Sequence, residues 1–232
     1  MVKFNCLICN EDIIYENESK DRICYFCKKT FNSQMVCKKG HFICDECHSL
    51  DAYNIITNYC LNTDSINPMG IILDLMKHPS INMHGPEHHY LVPAALITAY
   101  SNKIDGNLRP LLNECQKRSK NILGGFCGYY GACGAAIGCG IYASIIQNSG
   151  PLDKKEWGLC NLITSKTLEC ISQDGGPRCC KRNSFHAITT AINFTKEYFN
   201  IDLKKDITIS CSYSNINKTC LKEKCPYFKK EN

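Results

Sequence analysis

From about residue 50 onward, apolar side chains recur every three or four positions, which is the period of a helix that buries one face. Clear stripes of this kind are Ile71, Ile72, Leu75 and Met76, and then Phe185, Ile188, Ile192 and Phe199. Breaks rich in Pro, Gly and Asn divide the pattern. It predicts seven helices, at residues 50–61, 66–77, 87–101, 107–119, 131–147, 153–172 and 180–199. We therefore expect residues 51–232 to form an all-α helical bundle.

The first 50 residues contain few large apolar side chains and cannot build a hydrophobic core of their own. They hold instead eight Cys and His residues in four pairs. A Cys-x2-Cys knuckle directs two sulfurs at one tetrahedral Zn²⁺, and two pairs close a structural site. Residues 1–50 are therefore predicted to bind two Zn²⁺, which supply the folding energy. The predicted ligands are Cys6, Cys9, Cys24, Cys27, Cys37, His41, Cys44 and Cys47.

The stretch from Cys24 to Cys47 resembles the first three ligand pairs of a RING-type cross-braced domain, with Cys6/Cys9 placed in front instead of behind. That resemblance implies that Cys24/Cys27 share an ion with Cys44/Cys47, and Cys37/His41 with Cys6/Cys9. Sequential pairs, as in zinc ribbons, are the alternative. The expected fold is mostly α, with an N-terminal two-zinc module (RING-like or zinc-ribbon) before the helical bundle. Closed zinc sites are not catalytic, so the module is structural or docks a protein partner.

Composition and sequence pattern limit where the protein is expected to act and which partners it is expected to bind. The N-terminus lacks the pattern of a signal peptide, and no apolar run approaches the about 18 residues of a membrane span. We expect a cytoplasmic protein without a membrane partner, in which the 19 cysteines are thiols or metal ligands. Seven thiolates and two Zn²⁺ would lower the formal charge from +5 to +2. This argues against nucleic acid as a partner.

The segment from His84 to His89 opens a predicted helix with several titratable side chains close together. Such groups at a helix start can have shifted pKa values, which suits a general base. His84, Glu87 and His88 are the catalytic candidates. The alternative is a capped helix start with exposed histidines.

Two further segments contain cysteines near glycines or cations. Between residues 124 and 140, Cys127 in the loop is the better metal ligand, because Cys133 and Cys139 point in different directions from one helix. Tight helix packing or a cofactor would explain the glycines here. In the loop before the last helix, one of Cys179 and Cys180 is a candidate ligand. The residues expected to hold a substrate carboxylate there are Arg178, Lys181, Arg182 and Asn183.

The C-terminal tail contains Cys211, Cys220 and Cys225, the last followed by Pro226. A Cys-Pro ending is common among iron–sulfur ligands, and three tail cysteines could hold a cluster by themselves.

The order Gly-x-Cys-Gly, small-residue helix, Gly-Gly and Cys-x-Arg-Asn over residues 124–195 resembles the α domain of iron–sulfur L-serine dehydratases and L-cysteine desulfidases. That resemblance implies a [4Fe–4S] cluster with one open iron, held by Cys127, Cys170 and Cys180. The whole chain also resembles an uncharacterised cysteine-rich family of anaerobic microbes, a domain of unknown function, which implies no activity.

Two ligand assignments for the cluster follow. In one, Cys127, Cys170 and Cys180 hold it and a tail cysteine covers the open iron. In the other, the tail triad holds it and Cys179/Cys180 receive sulfur.

We expect an oxygen-sensitive [4Fe–4S] enzyme of the hydro-lyase, desulfidase or sulfur-transfer type, acting on a small carboxylate-bearing substrate or a sulfur acceptor. The alternative is a zinc-dependent adaptor or nucleic-acid-binding protein without catalysis.

Overall fold

The N-terminal part of the chain is built on one β-hairpin. A computed structural model describes residues 6, 8–9, 11–44, 47, 51–204 and 208–229. In it, β1 (Ile13–Ile23) pairs antiparallel with β2 (Thr30–Cys37), and the register shifts between Tyr15 and Lys20. The hairpin turn carries the Cys24/Cys27 knuckle, and β2 ends at the ligand Cys37. The helical periodicity could not predict this hairpin, because both strands are largely exposed.

From Ala52 to Phe199 the chain is mostly helical, and the prediction of a mostly α fold behind a cysteine-rich module is confirmed. The seven predicted helices are all present, and a short eighth helix lies between the fourth and fifth. Within the described ranges, no helix is both long enough and apolar enough to cross a bilayer. The helices are α1 (Ala52–Leu61), α2 (Pro68–Leu75), α3 (Glu87–Ile104), α4 (Leu108–Ser119), α5 (Phe126–Tyr129), α6 (Gly134–Ile146), α7 (Lys155–Gln173) and α8 (Cys180–Phe199), and a 3-10 turn covers Lys222–Lys224.

Helix α3 is the centre of the bundle and packs against α1, α2, α4, α6 and α8. It lies very close to α6, because a Cβ atom at Gly138 would collide with Pro93 of α3 and one at Gly134 with His89. Likewise, a Cβ at Gly140 would meet Thr164 of α7. These glycines are explained by helix packing, as small residues let two backbones approach closely.

The N-terminal cysteine-rich module and the helices share one hydrophobic core. Its members include Phe26 and all four cysteines of the second ligand group, together with residues of α1, α2 and α3. Two polar contacts hold the interface. Asp74 of α2 accepts hydrogen bonds from the hydroxyls of Tyr25 (2.8 Å) and Tyr59 (2.9 Å), and His78 Nε2 donates to the Cys47 carbonyl (2.9 Å). The module is therefore packed onto the bundle rather than tethered to it.

Candidate metal centres and the adjacent cleft

The first metal group consists of Cys6, Cys9, Cys37 and His41, whose ligand atoms all lie within 4.8 Å of one another. His41 Nδ1 is 3.3 Å from the Cys9 sulfur and 3.7 Å from the Cys37 sulfur. Two sulfurs bound at 2.3 Å to one tetrahedral ion stand about 3.8 Å apart, so these separations suit a single ion.

The second group consists of Cys24, Cys27, Cys44 and Cys47, all buried. The Cys27 and Cys44 sulfurs are 3.8 Å apart. Burial raises the pKa of the Cys44 thiol to about 11, so binding of a metal ion releases protons from this group. Both groups can hold a metal ion and are compatible with zinc. The first group joins the pair Cys6/Cys9 with the pair Cys37/His41, and the second joins Cys24/Cys27 with Cys44/Cys47. This is a cross-braced arrangement.

Four other cysteines line one enclosed cavity beside the start of α8. The cavity has a volume of about 20 Å³, and its walls include the rings of Phe185 and Tyr227. The two ends of the C-terminal tail pair with each other here. The Cys211 N–H donates to the Tyr227 carbonyl (2.8 Å), and Cys211 forms a parallel β-bridge with Phe228. We call this space the four-cysteine cavity, after Cys179, Cys211, Cys220 and Cys225.

Each sulfur of the four-cysteine cavity accepts a hydrogen bond from one backbone N–H, which belongs to a residue two or three positions later in the chain. Cys211 accepts from Tyr213 and Cys220 from Lys222, both at 3.4 Å. Cys179 caps α8 by accepting the Arg182 N–H (3.4 Å), and Cys225 accepts from Tyr227. The same hydrogen bond, from the N–H two residues later to the cysteine sulfur, occurs in the predicted zinc knuckles. There Cys6 accepts from Ile8 (3.4 Å) and Cys37 from Lys39 (3.2 Å).

The four sulfurs are spread more widely than those of the zinc groups. Within the described ranges, only the two N-terminal groups bring three or more ligand atoms within 4.8 Å of one another. The four-cysteine cavity therefore does not fit one bare ion in tetrahedral coordination.

Two buried cations lie next to this cavity. Lys181 is 1% exposed, donates to the Ile81 carbonyl (2.9 Å) and lies over the Tyr213 ring (4.9 Å). Burial lowers its pKa to about 8, while negative charge on Glu87, Cys180, Cys179 and Cys211 opposes this shift. Arg182 is 3% exposed, pairs with Asp174 (3.4 Å) and donates to the Gly175 carbonyl (2.9 Å).

An open cleft lies on the other side of Arg182. It has a volume of about 810 Å³. Cys127 of α5 and Cys133, just before α6, line it, and Arg182 lines both the cleft and the four-cysteine cavity. The remaining wall residues are Gly125, Gly128, Tyr129, Gly131, Leu168, Glu169, Ile171, Ser172, Gly175, Gly176, Arg178 and Asn183.

The three predicted catalytic residues line neither space. Glu87 Oε1 accepts the Asn82 N–H (2.8 Å), and Glu87 is 4% exposed. His88 is 1% exposed, its Nε2–H donates to the Asn82 carbonyl (3.0 Å), and its Nδ1 is 3.2 Å from the Ser184 hydroxyl. His84 is half-buried, and burial lowers its pKa. For His88 and Glu87, the structure thus provides internal hydrogen bonds that account for their burial.

The buried imidazole of His88 leads to a testable pH dependence. Burial lowers its pKa to about 3, so between that value and about 6.5 the unfolded chain binds a proton that the folded protein does not. Acid therefore favours unfolding in this range. Between pH 6.5 and 5 we expect His88 alone to reduce the free energy of unfolding by about 1.4 kcal/mol per pH unit. Denaturant titrations of the zinc-bound protein at several pH values measure its free energy of unfolding. This free energy should fall less steeply with decreasing pH in His88→Gln than in the unsubstituted protein, and equal pH dependences would contradict the assignment.

Of the cysteines that the dehydratase resemblance implies as ligands, only Cys127 lines the cleft. Cys170 contacts His186 instead, with 3.3 Å between its sulfur and Nδ1, and His186 Nε2 is 2.7 Å from Asp174. Cys180 is partly buried, which raises its pKa to about 11. Neither Cys170 nor Cys180 lines the cleft or the four-cysteine cavity.

Sequence reasoning missed three features of this region. It treated Cys179 as an alternative to Cys180, although the structure places Cys179 with the tail cysteines. It set Cys133 aside, and it did not single out His186. A signal for Cys179 was present, because the tail supplies three cysteines and a closed cluster needs four.

Comparison with known proteins adds one match. The model of DUF5714, a family of unknown function, matches residues 56–228. This range includes the four-cysteine cavity and the cleft, whereas the predicted zinc ligands precede it. No curated protein and no solved structure matches the chain. The resemblance to serine dehydratases is therefore not confirmed.

Proposed function

The chain belongs to DUF5714, a family of unknown function, and from its own geometry we propose that it is an oxygen-sensitive [4Fe–4S] enzyme of the sulfur-transfer type. Cys179, Cys211, Cys220 and Cys225 would hold the cluster. The adjacent cleft would bind a small carboxylate-bearing substrate.

The observation that carries this proposal is the convergence of four cysteines on one enclosed, partly apolar cavity. Their sulfurs accept backbone N–H donors, as the predicted zinc ligands do in the same chain. Such hydrogen bonds and exclusion of solvent are the features by which proteins tune iron–sulfur clusters. A [4Fe–4S] core holds its ligand sulfurs farther apart than a single ion does, which agrees with their wider spread.

Charge supports the same assignment. Four thiolates around a 2+ cluster core carry a net charge of about −2. A buried cation is costly, and Lys181 donates to a carbonyl and lies over the Tyr213 ring, with the Glu87 carboxylate acting on it from nearby. A cluster in the four-cysteine cavity would give Lys181 and Arg182 a nearby negative charge.

The number of ligands bears on the type of reaction. Cluster-based hydro-lyases need one iron without a protein ligand, so that it can act as a Lewis acid. Four cysteines leave no such iron, which favours electron transfer over the hydro-lyase branch. Arg182 lies between the four-cysteine cavity and the cleft, so an electron would travel only a short path to a substrate there.

Anaerobic reconstitution with iron and sulfide tests the cluster. We expect two zinc and about four iron atoms per chain, with visible iron–sulfur absorption. Cys179→Ala and Cys220→Ala should each lose more than about half of the iron. Cys160→Ala is the matched control, because Cys160 is a partly buried cysteine that lines neither space.

The outcomes separate the assignments. Loss of iron in Cys127→Ala but not in Cys220→Ala would contradict the four-cysteine cavity and favour the open-iron enzyme. Zinc without iron after reconstitution would overturn the enzyme proposal and favour the zinc-dependent adaptor.

A further inference from the structure

We infer that Cys133 is a nucleophile that attacks the S–S bond of a small carboxylate-bearing disulfide or persulfide in the cleft, with Cys127 as the second thiol and Arg178 as the carboxylate-binding cation. This deepens the proposed sulfur-transfer function by naming its substrate class and its reacting residue. The attack itself does not require the cluster.

Cys133 sits in a polar frame that suits a reacting sulfur. It is partly exposed on the cleft wall and is the N-cap of the 13-residue helix α6. The Asn183 Nδ2–H donates to its sulfur (3.4 Å). This donor would stabilise negative charge on the Cys133 sulfur when a disulfide to it is broken.

The direction of the Asn183 amide is itself determined by its neighbours. Asn183 is 5% exposed, and its Oδ1 accepts the Arg182 Nε–H (3.4 Å). Because a guanidinium only donates, the oxygen must face Arg182 and the NH₂ group must face the sulfur. Asp174 and the Gly175 carbonyl hold Arg182 in turn. The chain from Asp174 to Cys133 is thus a positioned set of donors and acceptors.

A glycine on the cleft wall indicates that something approaches the backbone there. Gly128 lies within α5, does not have a positive φ, and would meet nothing within 4 Å if it carried a Cβ atom. Glycine inside a helix costs about 1 kcal/mol relative to alanine. Neither conformation nor packing within the chain explains Gly128, whereas a ligand in the cleft does. Gly158 of α7 also has open space at Cβ and lies outside the cleft, so it is a matched control.

Arg178 supplies the positive charge for a carboxylate. It is exposed, lines the cleft and forms no salt bridge within the described part of the chain. Arg182 is occupied by Asp174 and two carbonyls. Glu169 also lines the cleft, so the site should favour a ligand with one carboxylate near Arg178 over a highly charged anion.

The chemistry balances without an outside oxidant. The Cys133 thiolate attacks the ligand S–S bond, a Cys133 S–S bond forms, and the leaving thiolate takes a proton from water. Cys127, as thiolate, then attacks Cys133 in the mixed disulfide and releases the second ligand half as a thiolate. The product is a Cys127–Cys133 disulfide, and the ligand has been reduced by two electrons. An exogenous dithiol then reduces it by thiol–disulfide exchange, which returns Cys127 and Cys133 to thiols and oxidises the added dithiol to a disulfide.

Two probes with the same S–S bond test the inference. Dithiodiglycolate carries carboxylates, and bis(2-hydroxyethyl) disulfide replaces them by neutral hydroxyls. Rates of modification are measured by peptide mass mapping on the zinc-loaded protein, with and without iron. We expect the anionic-to-neutral rate ratio at Cys133 to exceed that at Cys160 by about fivefold or more. Arg178→Gln should remove this excess.

Variants of Cys127, the second thiol, and of Gly128 on the cleft wall complete the test. In Cys127→Ser the mixed disulfide on Cys133 should accumulate, whereas the unmodified protein should go on to the internal disulfide. Gly128→Ala should slow both probes at Cys133 and Gly158→Ala should not. Equal rate ratios at Cys133 and Cys160, or an unreactive Cys133, would overturn the inference. Either result would leave the iron content, and hence the cluster assignment, unaffected.

Discussion

Replacement of Cys44 by serine is expected to unfold the zinc module and to destabilise the helical bundle with it. Cys44 belongs to the all-cysteine group, which lies in the same hydrophobic core as α1, α2 and α3. A structural zinc ion contributes on the order of 10 kcal/mol to the folding of small modules. Loss of this ion would therefore remove the frame that holds Phe26 and the Tyr25–Asp74 contact against the bundle.

Cys9→Ser is the matched control for this prediction. Cys9 belongs to the other group, and it is partly exposed and lies outside the shared core. We expect each variant to lose one of two zinc ions. Only Cys44→Ser should lower the midpoint of thermal unfolding of the helices, measured by circular dichroism. Equal midpoints for the two variants would mean that the bundle does not depend on the module.

Arg182→Met should strongly destabilise the helical bundle. It removes one of the two partners of Asp174, the other being His186, and leaves the Gly175 and Pro177 carbonyls without their guanidinium donor. Breaking a buried ion pair by removing one partner costs about 3–5 kcal/mol. For a chain of 232 residues this corresponds to a fall of roughly 10 °C in the unfolding midpoint.

Arg118→Met provides the comparison, because Arg118 also forms an arginine–carboxylate pair. Its side chain is 38% exposed and lies 2.8 Å from Glu114. An exposed pair of this kind contributes less than about 1 kcal/mol. Denaturant unfolding of both variants measures the difference. A similar cost for the two substitutions would show that burial does not strengthen the Arg182 contacts.

Local patterns predicted the helices well, because their signals lie within a few residues. The stripe from Ile71 to Met76 falls on α2 and its C-cap, and the stripe from Phe185 to Phe199 falls on α8. The exposed hairpin had no comparable signal, since neither strand buries a continuous face. The role of Gly134 and Gly138 also required the structure, because their neighbours come from another helix.

The amino-acid sequence by itself determined the eight candidate metal ligands and the helical class, because knuckle spacing and helical periodicity are short-range properties. Only the tertiary structure decided how distant residues group. It joined Cys6 and Cys9 with Cys37 and His41, and it placed Cys179 with three tail cysteines. It also buried Glu87 and His88 away from both spaces and brought Asn183 to Cys133. The physical reason is that coordination and hydrogen bonding act over a few ångströms, and chain folding alone determines which remote side chains come that close.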